Sequence, residues 1–344
     1  MPSVACVDLF CGVGGLTDGF RKSGIDVRAG VDVDQSCAWP YEHNTGARFV
    51  SADVASLPAG DVDRLLADTD FRVLAGCAPC QPFSSYSQGR RSDDGKWRLL
   101  GAFARLTRES KPDFVSMENV VGLARHPIFK DFVTQLEADG YSVAWGTLDC
   151  QKFSVPQTRK RLVLIGSRHG QARLPDPGSS TPRKSVRDAI GALPPLSAGE
   201  VCRADPLHQA ASLSRLNLQR IRHSTPGGSW RDWPDELVTA CHRVESGRTY
   251  PSVYGRMEWD KPSPTITTQC YGYGNGRFGH PEQDRAISLR EAALLQSFPG
   301  DWLFSRPGEP IRFAPIGRII GNAVPPVLAE AIGRTVRQLA EDAA

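Results

Sequence analysis

The residue best suited to covalent chemistry is Cys80, which lies within the run GCAPCQPFS at residues 76–84. The apolar, β-prone residues 71–75 precede this run, so the sequence predicts that Cys80 follows the carboxyl end of a strand. Ligands of open α/β sheets bind at that edge. A thiolate on this proline-flanked turn would be a nucleophile if nearby cations or a helix amino terminus stabilise it. The alternative is a buried cysteine beside a structural turn.

A glycine-rich turn near the amino terminus is suited to a nucleotide-like ligand. Residues 4–10 (VACVDLF) predict a buried strand, and CGVGGL at residues 11–16 follows before a helix that begins near Thr17. Glycines allow backbone amides and a helix amino terminus to approach such a ligand closely. Thr17 stands where the dinucleotide-binding fingerprint has its third glycine, so this turn alone is weak evidence.

Two acidic residues follow the next two predicted strands. Asp32 ends the strand over residues 26–31, about 20 residues past the glycine turn, where a carboxylate accepts hydrogen bonds from ribose hydroxyls. Asp53 follows a strand near residues 47–50. Together they favour an adenosyl ligand over a bare phosphate, although either alone is equally well interpreted as a solvated strand-end cap.

Further polar residues are predicted at the same edge of the sheet. The apolar run that ends at residue 120 delivers Glu118 and Asn119, and a carboxyl group beside a nucleophilic cysteine is a candidate general acid. Arg159 and Arg161 are two apart in an extended segment and would point to one face. They are suited to an anionic or carbonyl-rich substrate, and the alternative is a solvated basic edge.

The order of these motifs closely resembles the cytosine-C5 DNA methyltransferase family, and the resemblance spans almost the whole chain. The matching segments are DLFCGVGGL (8–16), PCQPFS (79–84), ENV (118–120), QTRKR (157–161), REAALLQSFP (290–299) and GNAVPP (321–326). The resemblance implies an α/β fold: a Rossmann-like, S-adenosylmethionine-dependent methyltransferase sheet with a small, irregular target-recognition domain.

The resemblance also implies roles for the catalytic residues. Cys80 would add to C6 of cytosine, Glu118 would hydrogen-bond the ring N3 and the exocyclic amine, and Arg161 would contact the carbonyl. Arg159 would support the same pocket. The methyl group would pass from S-adenosylmethionine to C5, and the base that removes the C5 proton is unassigned, with water as a candidate. Such chemistry requires the cytosine to be flipped out of the duplex.

The family's cofactor pocket maps onto eleven residues of this chain. They are Phe10, Gly12, Gly14, Leu16, Asp32, Val33, Asp53, Val54, Pro79, Asn322 and Val324. This chain departs from the family pattern at Asp32, where many relatives carry glutamate, and at Cys77-Ala78, where glycine or proline is commoner.

The polar, basic residues 84–98 suit a loop that closes on DNA, and the alternative is an ordinary surface loop. The candidate contacts there are Ser84, Gln88, Arg90 and Arg91. Residues 168–285 carry 16 Lys and Arg against 12 Asp and Glu, so a net charge of +4 lies in this segment and −1 in the remainder. We hypothesise that Arg231, Arg256 and Arg277 include at least one base or phosphate contact, although pairing with a carboxylate is as good an interpretation of each.

These features predict three regions. Residues 1–167 form the catalytic and cofactor-binding domain, residues 168–285 the target-recognition domain, and residues 286–344 return to the catalytic domain and complete the cofactor site. A helix over residues 289–298 with Ser288 as its amino cap is expected, and residues 321–326 should open a final helix over 327–339 that packs beside the first strand.

Composition agrees with a DNA-associated bacterial cytoplasmic enzyme. The net charge of +3 would not by itself indicate a nucleic-acid binder. No apolar segment is long enough to span a membrane, and the nine cysteines lack metal-ligand spacing, so no metal is predicted. The expected partner is double-stranded DNA with a short specific site, with a cognate restriction endonuclease as a candidate second partner. A monomer suffices for this activity.

Four other functions were weighed against this one. An RNA cytosine methyltransferase would share most motifs, but the tRNA-modifying group carries a Cys-Phe-Thr segment that is absent here. A non-catalytic DNA-binding module would predict a broken motif, and a small-molecule methyltransferase would not need the recognition region. Redox chemistry at Cys77 and Cys80 would need the rest of a thioredoxin-like signature.

Overall fold

A computed structural model describes residues 1–79, 98–178 and 181–344. Cys80 and the candidate loop contacts Ser84, Gln88, Arg90 and Arg91 lie outside the described residues.

A seven-stranded mixed sheet forms the centre of the described protein. Its strands are β1 (Val4–Leu9), β2 (Asp26–Asp32), β3 (Arg48–Ser51), β4 (Phe71–Gly76), β5 (Phe114–Val120), β6 (Ser142–Asp149) and β7 (Lys160–Ser167). The order across the sheet is β3-β2-β1-β4-β5-β7-β6. Strands β1 to β5 pair in parallel, whereas β7 is antiparallel to both β5 and β6. The predicted α/β sheet is therefore present.

The described part of the chain contains eleven α-helices, of which the first, third, fourth, fifth and last pack in the core layers on the two faces of the sheet. They are α1 (Gly15–Lys22), α2 (Ala38–Thr45), α3 (Ala59–Leu65), α4 (Arg98–Ser110), α5 (Pro127–Ala138), α6 (Val186–Ile190), α7 (Arg215–His223), α8 (Ala240–Arg243), α9 (Leu289–Leu295), α10 (Phe313–Asn322) and α11 (Pro326–Ala343).

The alternation of side chains along the central strands divides the core into two layers. Val7 on β1 packs in one cluster with Phe103 of α4 and Phe129 of α5. Cys6, the preceding residue, points to the opposite face and packs in a second cluster with Phe20 of α1 and Ile332 of α11. Because both faces are covered, β1 is buried along its whole length, which explains its continuous apolar sequence.

The antiparallel β7 has a specific consequence for function. The carboxyl ends of parallel strands lie at one edge of the sheet, so the chain segments after β1, β2, β3, β4 and β5 meet there. Because β7 runs the other way, its first residues reach this same edge, and Arg161 pairs with Val120 at the end of β5. The sheet thus brings Glu118 and the basic segment 157–161 together.

The carboxyl-terminal half has an irregular structure and shares its core with the returning helices. One apolar cluster joins Val186 and Met257 from the predicted recognition region to Leu289 of α9 and Ile320 of α10. A smaller aromatic cluster includes Trp230, Trp233 and Tyr273. The boundaries at residues 168 and 285 stay a prediction, since apolar packing continues across the second of them.

Two expectations about the last helices have different outcomes. Ser288 caps α9 as predicted, and with Glu291 it forms a capping box. The expectation that residues 321–326 open the final helix is wrong in part, because Gly321 and Asn322 end α10 and α11 begins only at Pro326. Helix α10 forms because its apolar side, with Ile316 and Ile320, packs in the cluster that joins the predicted recognition region to α9.

The segment between α10 and α11 lies directly against the glycine turn. A Cβ atom at Gly15 would collide with the backbone oxygen of Val324, so only glycine permits this approach. Gly12 and Gly14 have φ values of 51° and 91°, in the left-handed region that glycine adopts without strain. The turn is therefore shaped by the close approach of the two ends of the chain.

Replacing Gly15 with alanine should separate these segments. We expect Gly15→Ala to lower the free energy of unfolding by about 1–3 kcal/mol, because the new methyl group overlaps a backbone atom that has little room to move. Urea denaturation followed by circular dichroism measures this change. The matched control is Gly60→Ala in α3, where a Cβ meets nothing within 4 Å and should be neutral or stabilising. Equal stability of the two variants would contradict the steric argument.

Candidate active site

Glu118 is the centre of the described part of the site. Its side chain is 3% exposed at the carboxyl end of β5. Arg161 Nε lies 2.8 Å from Glu118 Oε1. This contact is an ion pair whose geometry is not that of a hydrogen bond. Among the described residues, Glu118 Oε1 therefore accepts no hydrogen bond. The site therefore holds a buried carboxylate oxygen with charge compensation and a free acceptor position.

The turn that leads to Cys80 is fastened to β5 and β1. Asn119 Nδ2 donates to the Ala78 oxygen over 3.0 Å, and the Cys77 amide donates to the Leu9 oxygen over 3.3 Å. The Cys77 thiol donates to Glu118 Oε2 at an Sγ–O distance of 2.9 Å. These contacts bring the turn before Cys80 to the predicted general acid.

Arg159 is buried more deeply than Arg161, and its hydrogen bonds within the described residues go to backbone oxygens. It is 2% exposed and donates to the oxygens of Ile266 (3.1 Å), Gly321 (3.2 Å) and Ala323 (3.3 Å). Burial, together with the neighbouring Arg161 and against the opposing effect of Glu118, lowers the pKa of Arg159 to about 9. The guanidinium therefore stays charged at neutral pH.

Gln157 is an important residue to which the sequence analysis gave no role. It is fully buried, and its Nε2 donates to Gln296 Oε1 (2.6 Å) and to the Leu295 oxygen (3.0 Å). Its Oε1 accepts the Ile266 amide over 2.9 Å. Gln157 thus joins the basic segment to the QSF motif at residues 296–298. The available signal was its place in the same motif as Arg159 and Arg161.

The predicted cofactor residues Gly12 and Asp32 contact one another directly. Asp32 Oδ2 accepts the Gly12 amide and Oδ1 accepts the Asp34 amide, each over 2.9 Å. The carboxylate that was predicted to reach a ribose therefore also fixes the glycine turn to the end of β2. Each of its oxygens retains an acceptor position for a further donor.

The remaining cofactor candidates divide into exposed and buried residues. Val33 is 64% exposed beside Asp32, which is unusual for an apolar side chain. Asp53 Oδ1 accepts the Ala55 amide over 2.9 Å, and Oδ2 pairs with Arg98 at 2.7 Å. Pro79 and Asn322 are exposed, Phe10 is half-buried with a φ of 60°, and Leu16, Val54 and Val324 are buried. The buried three pack in the two core layers of the sheet.

A cavity of about 500 Å³ lies elsewhere, between α11 and the segment that contains Arg173 and Leu174. None of the described predicted site residues lines it. In the part of the chain that the structure describes, no cluster of side chains could hold a metal ion, and no helix is long and apolar enough to cross a membrane.

The three arginines of the recognition region differ in their surroundings. Arg231 is exposed, and Arg277 is half-buried and donates to the Gly227 oxygen. Arg256 is 5% exposed and bonds to Asp284 and to the oxygens of His280 (2.9 Å) and Gln283 (2.7 Å). Arg256 is therefore a structural residue, and the hypothesis of a DNA contact is left with Arg231 and Arg277.

A buried acid lies beneath the glycine turn. Asp8, at 1% exposure, accepts a hydrogen bond from Thr17 over 2.7 Å, and Thr17 lies 2.9 Å from the Tyr41 hydroxyl. Burial, opposed by the Thr17 hydrogen bond and reinforced by the nearby Asp32 carboxylate, raises the pKa of Asp8 to about 7. Ionisation of Asp8 therefore opposes folding.

Asp8 should make stability depend on pH. Its pKa in the folded protein, about 7, exceeds the unfolded value of 3.8, so its contribution to stability falls as the pH rises through this window. We expect Asp8→Asn, which cannot ionise, to gain stability relative to the original protein on going from pH 5 to pH 8. Urea unfolding at both values measures this, with Asp61→Asn on exposed α3 as the control. If the stability difference between Asp8→Asn and the original protein is the same at pH 5 and pH 8, the raised pKa of Asp8 is contradicted.

The sequence of this chain is similar to those of known proteins. The sequence matches the C-5 cytosine-specific DNA methylase family over residues 4–338. It is 47% identical over 342 residues to the Type II methylase M.HgiDII of Herpetosiphon aurantiacus, covering 98% of this chain and 96% of that protein. It is 33% identical to the Type II methyltransferase M1.HphI of Haemophilus parahaemolyticus, covering 98% of this chain and 87% of the relative.

Solved structures share the fold. A prophage-encoded protein of E. coli, described as a DNA modification methyltransferase, superposes with a TM-score of 0.74 at 23% identity, covering 98% of this chain and 99% of the other. A DNMT2 variant of Spodoptera frugiperda gives 0.64 at 16% identity with the same coverage. These similarities confirm the predicted Rossmann-like methyltransferase sheet. Since the family match spans nearly the whole chain and one relative shares almost half of its residues, this protein belongs to the C-5 cytosine-specific DNA methylase family.

Proposed function

We propose that this enzyme methylates C5 of a target cytosine in a short double-stranded DNA site, with Cys80 as the nucleophile. The observation that carries the proposal is the buried Glu118 carboxyl group, whose Oε1 lacks a hydrogen bond among the described residues although an arginine lies beside it. Buried polar atoms without partners are rare in folded proteins and commonly mark sites that a ligand completes. A pyrimidine with an exocyclic amine supplies the missing donor.

Each described polar residue has a role that suits cytosine. Glu118 shares a proton with N3 and accepts a hydrogen bond from the exocyclic amine. Arg161, which is 13% exposed at its side chain, reaches the ring carbonyl. Both interactions strengthen as the ring accumulates negative charge, so they stabilise the activated ring more than the bound base. Addition of the Cys80 thiolate to C6 makes C5 nucleophilic, and loss of the C5 proton after methylation allows elimination of the cysteine.

Arg159 acts differently from Arg161 in this proposal. Its side chain is buried and its described hydrogen bonds all go to backbone oxygens. It is therefore a positioning residue, which holds the wall of the cytosine pocket and places a positive charge near Glu118. This is the supporting role that the resemblance to the family implies for Arg159.

The edge of the sheet fits S-adenosylmethionine, which supplies an electrophilic methyl group when bound. The left-handed turn leaves open space at Gly12, where a Cβ would meet nothing within 4 Å, and Asp32 keeps free acceptor positions for ribose hydroxyls. The exposed Val33 offers an apolar surface to an adenine ring, and Asp53 offers an acceptor to its amine. The Arg98 ion pair must rearrange or share Asp53 for that last contact.

The substrate and cellular role are inferred from chemistry and from the relatives. A cytosine stacked in a duplex is accessible from neither ring face, so the base must leave the helix to meet Glu118. The relatives M.HgiDII and M1.HphI are Type II enzymes, which supports a role beside a restriction endonuclease that cuts the same site. Such an enzyme acts on bacterial DNA in the cytoplasm, and one copy of this chain contains all the assigned catalytic residues.

The proposal is tested by mapping transferred methyl groups. The protein is incubated with labelled S-adenosylmethionine and unmethylated bacterial DNA, and methylation is mapped at base resolution. We expect methyl groups on C5 of cytosine within one short motif. Cys80→Ser should abolish transfer, and Glu118→Gln should reduce it by at least about a hundredfold, because general acid catalysis contributes a factor of that order.

Controls separate chemistry from folding. Both variants should keep the thermal stability of the original protein, and Cys202→Ala in the recognition region should methylate normally. Methylation of RNA alone would redirect the assignment to an RNA substrate. Full activity of Cys80→Ser would exclude covalent catalysis by this residue.

Substitution of Arg231, a candidate DNA contact, can be compared with substitution of Arg256, a buried arginine of the same region. Arg231→Ala should weaken DNA binding and lower the slope of log affinity against log salt by about one, because one phosphate contact is lost. Arg256→Ala should instead lower the free energy of unfolding by about 1–3 kcal/mol, since it leaves buried acceptors unpaired. Fluorescence anisotropy with a duplex probe and urea denaturation measure the two effects. An unchanged salt slope in Arg231→Ala would exclude a phosphate contact by this residue.

A further inference from the structure

Cys77 differs from the pattern of the family, and the structure places its thiol against the most important described carboxyl group. Its Sγ lies 2.9 Å from Glu118 Oε2, while Arg161 Nε lies 2.8 Å from the other oxygen. The two carboxyl oxygens of Glu118 therefore have different neighbours. One accepts a thiol hydrogen bond, and the other faces a guanidinium and has no hydrogen bond among the described residues.

We propose that Cys77 is a positioning residue for the methyl transfer, and that it acts by donating a hydrogen bond to Glu118 and so fixing the orientation of its carboxyl group. This inference rests on the proposed role of Glu118. Neither glycine nor proline, the residues that are commoner at positions 77–78 in the family, has a side chain that can donate such a bond. In this chain the turn therefore supplies Cys80 and, three residues earlier, a donor for the general acid.

The backbone around Cys77 supports a defined position for the thiol. Its amide donates to the Leu9 oxygen, in continuation of the β1–β4 pairing that ends at Gly76. Gly76 itself pairs with Met117 on β5, so the side chain of the next residue is carried to Glu118. Because strands on both sides fix this backbone, the thiol needs little ordering to donate.

The hydrogen bond has a chemical consequence at Glu118. A thiol that donates to Oε2 fixes the plane of the Glu118 carboxyl group and leaves Oε1 as the oxygen available to a bound ring. Cytosine activation needs Glu118 to meet N3 and the exocyclic amine in one orientation, so a carboxyl group that is free to rotate would transfer the methyl group more slowly.

The test compares Cys77→Ala, Cys77→Ser and Cys202→Ala in single-turnover methylation of duplex DNA. Cys77→Ala should slow methyl transfer about tenfold while DNA affinity stays the same, since Cys77 acts through Glu118 rather than through DNA. Cys77→Ser keeps a hydrogen-bond donor and should restore the rate, although its side chain is smaller than that of cysteine. Cys202→Ala should transfer methyl groups at the original rate.

The outcomes distinguish this inference from the proposed function. A Cys77→Ala rate that matches the original protein, while Glu118→Gln is inactive, would overturn the role of Cys77 alone. Full activity of Glu118→Gln would overturn the proposed role of Glu118 itself. Equally slow transfer in Cys77→Ala and Cys77→Ser would show that the cysteine side chain only fills space.

A second measurement does not depend on the folding of the Cys77 variants. The infrared S–H stretching band of the original protein is compared with that of Glu118→Gln. A thiol bonded to a carboxylate absorbs at lower frequency than one bonded to a neutral amide, so one S–H band should move to higher frequency in the variant. Superimposable S–H bands would overturn the proposal.

Discussion

The candidate site depends on one constraint: the Arg159 guanidinium is buried, and a buried cation is stable only where enough acceptors surround it. Its described acceptors are the backbone oxygens of Ile266, Gly321 and Ala323, all more than a hundred positions further along the chain. Gln157, two residues earlier, binds Gln296 and Ile266 in the same way. The amino-terminal sheet and the returning carboxyl-terminal segments therefore assemble as one unit around this short basic segment.

The reversed strand β7 connects that constraint to chemistry. Had β7 run parallel to β5, Arg159 and Arg161 would have been at the far edge of the sheet from Glu118. Its antiparallel pairing places Arg161 opposite Val120, and the side chain then meets Glu118 on the adjacent strand. Two arginines near one carboxylate offset the cost of burying it, and one of its oxygens is left open. Burying these charged groups costs folding free energy. The arrangement therefore suits a binding site in which a charged or polar ring supplies the missing hydrogen bond.

In the irregular half of the protein, buried arginine side chains hold chain segments together, whereas in the sheet backbone hydrogen bonds between strands do so. Arg285 is fully buried and makes two hydrogen bonds of 2.7 Å to Glu291, which also caps α9. Burial opposes ionisation of Glu291, but Arg285 outweighs it and holds the pKa of this carboxyl group below its usual range. Arg256 performs a similar role beside Asp284. Loops without regular pairing are thereby held in place.

The sequence alone determined the strands that begin the chain, the glycine turn, the Ser288 cap and the membership of a family, because these depend on local periodicity and on short motifs. It also selected Glu118, Arg159 and Arg161 together. Only the tertiary structure decided that Arg159 is buried and Arg161 is not, that Arg256 is structural, and that Gln157 connects three segments. It alone placed the Cys77 thiol on Glu118. Those facts depend on contacts between residues far apart in the chain and on the direction of β7, and neither is encoded in the local pattern of side chains.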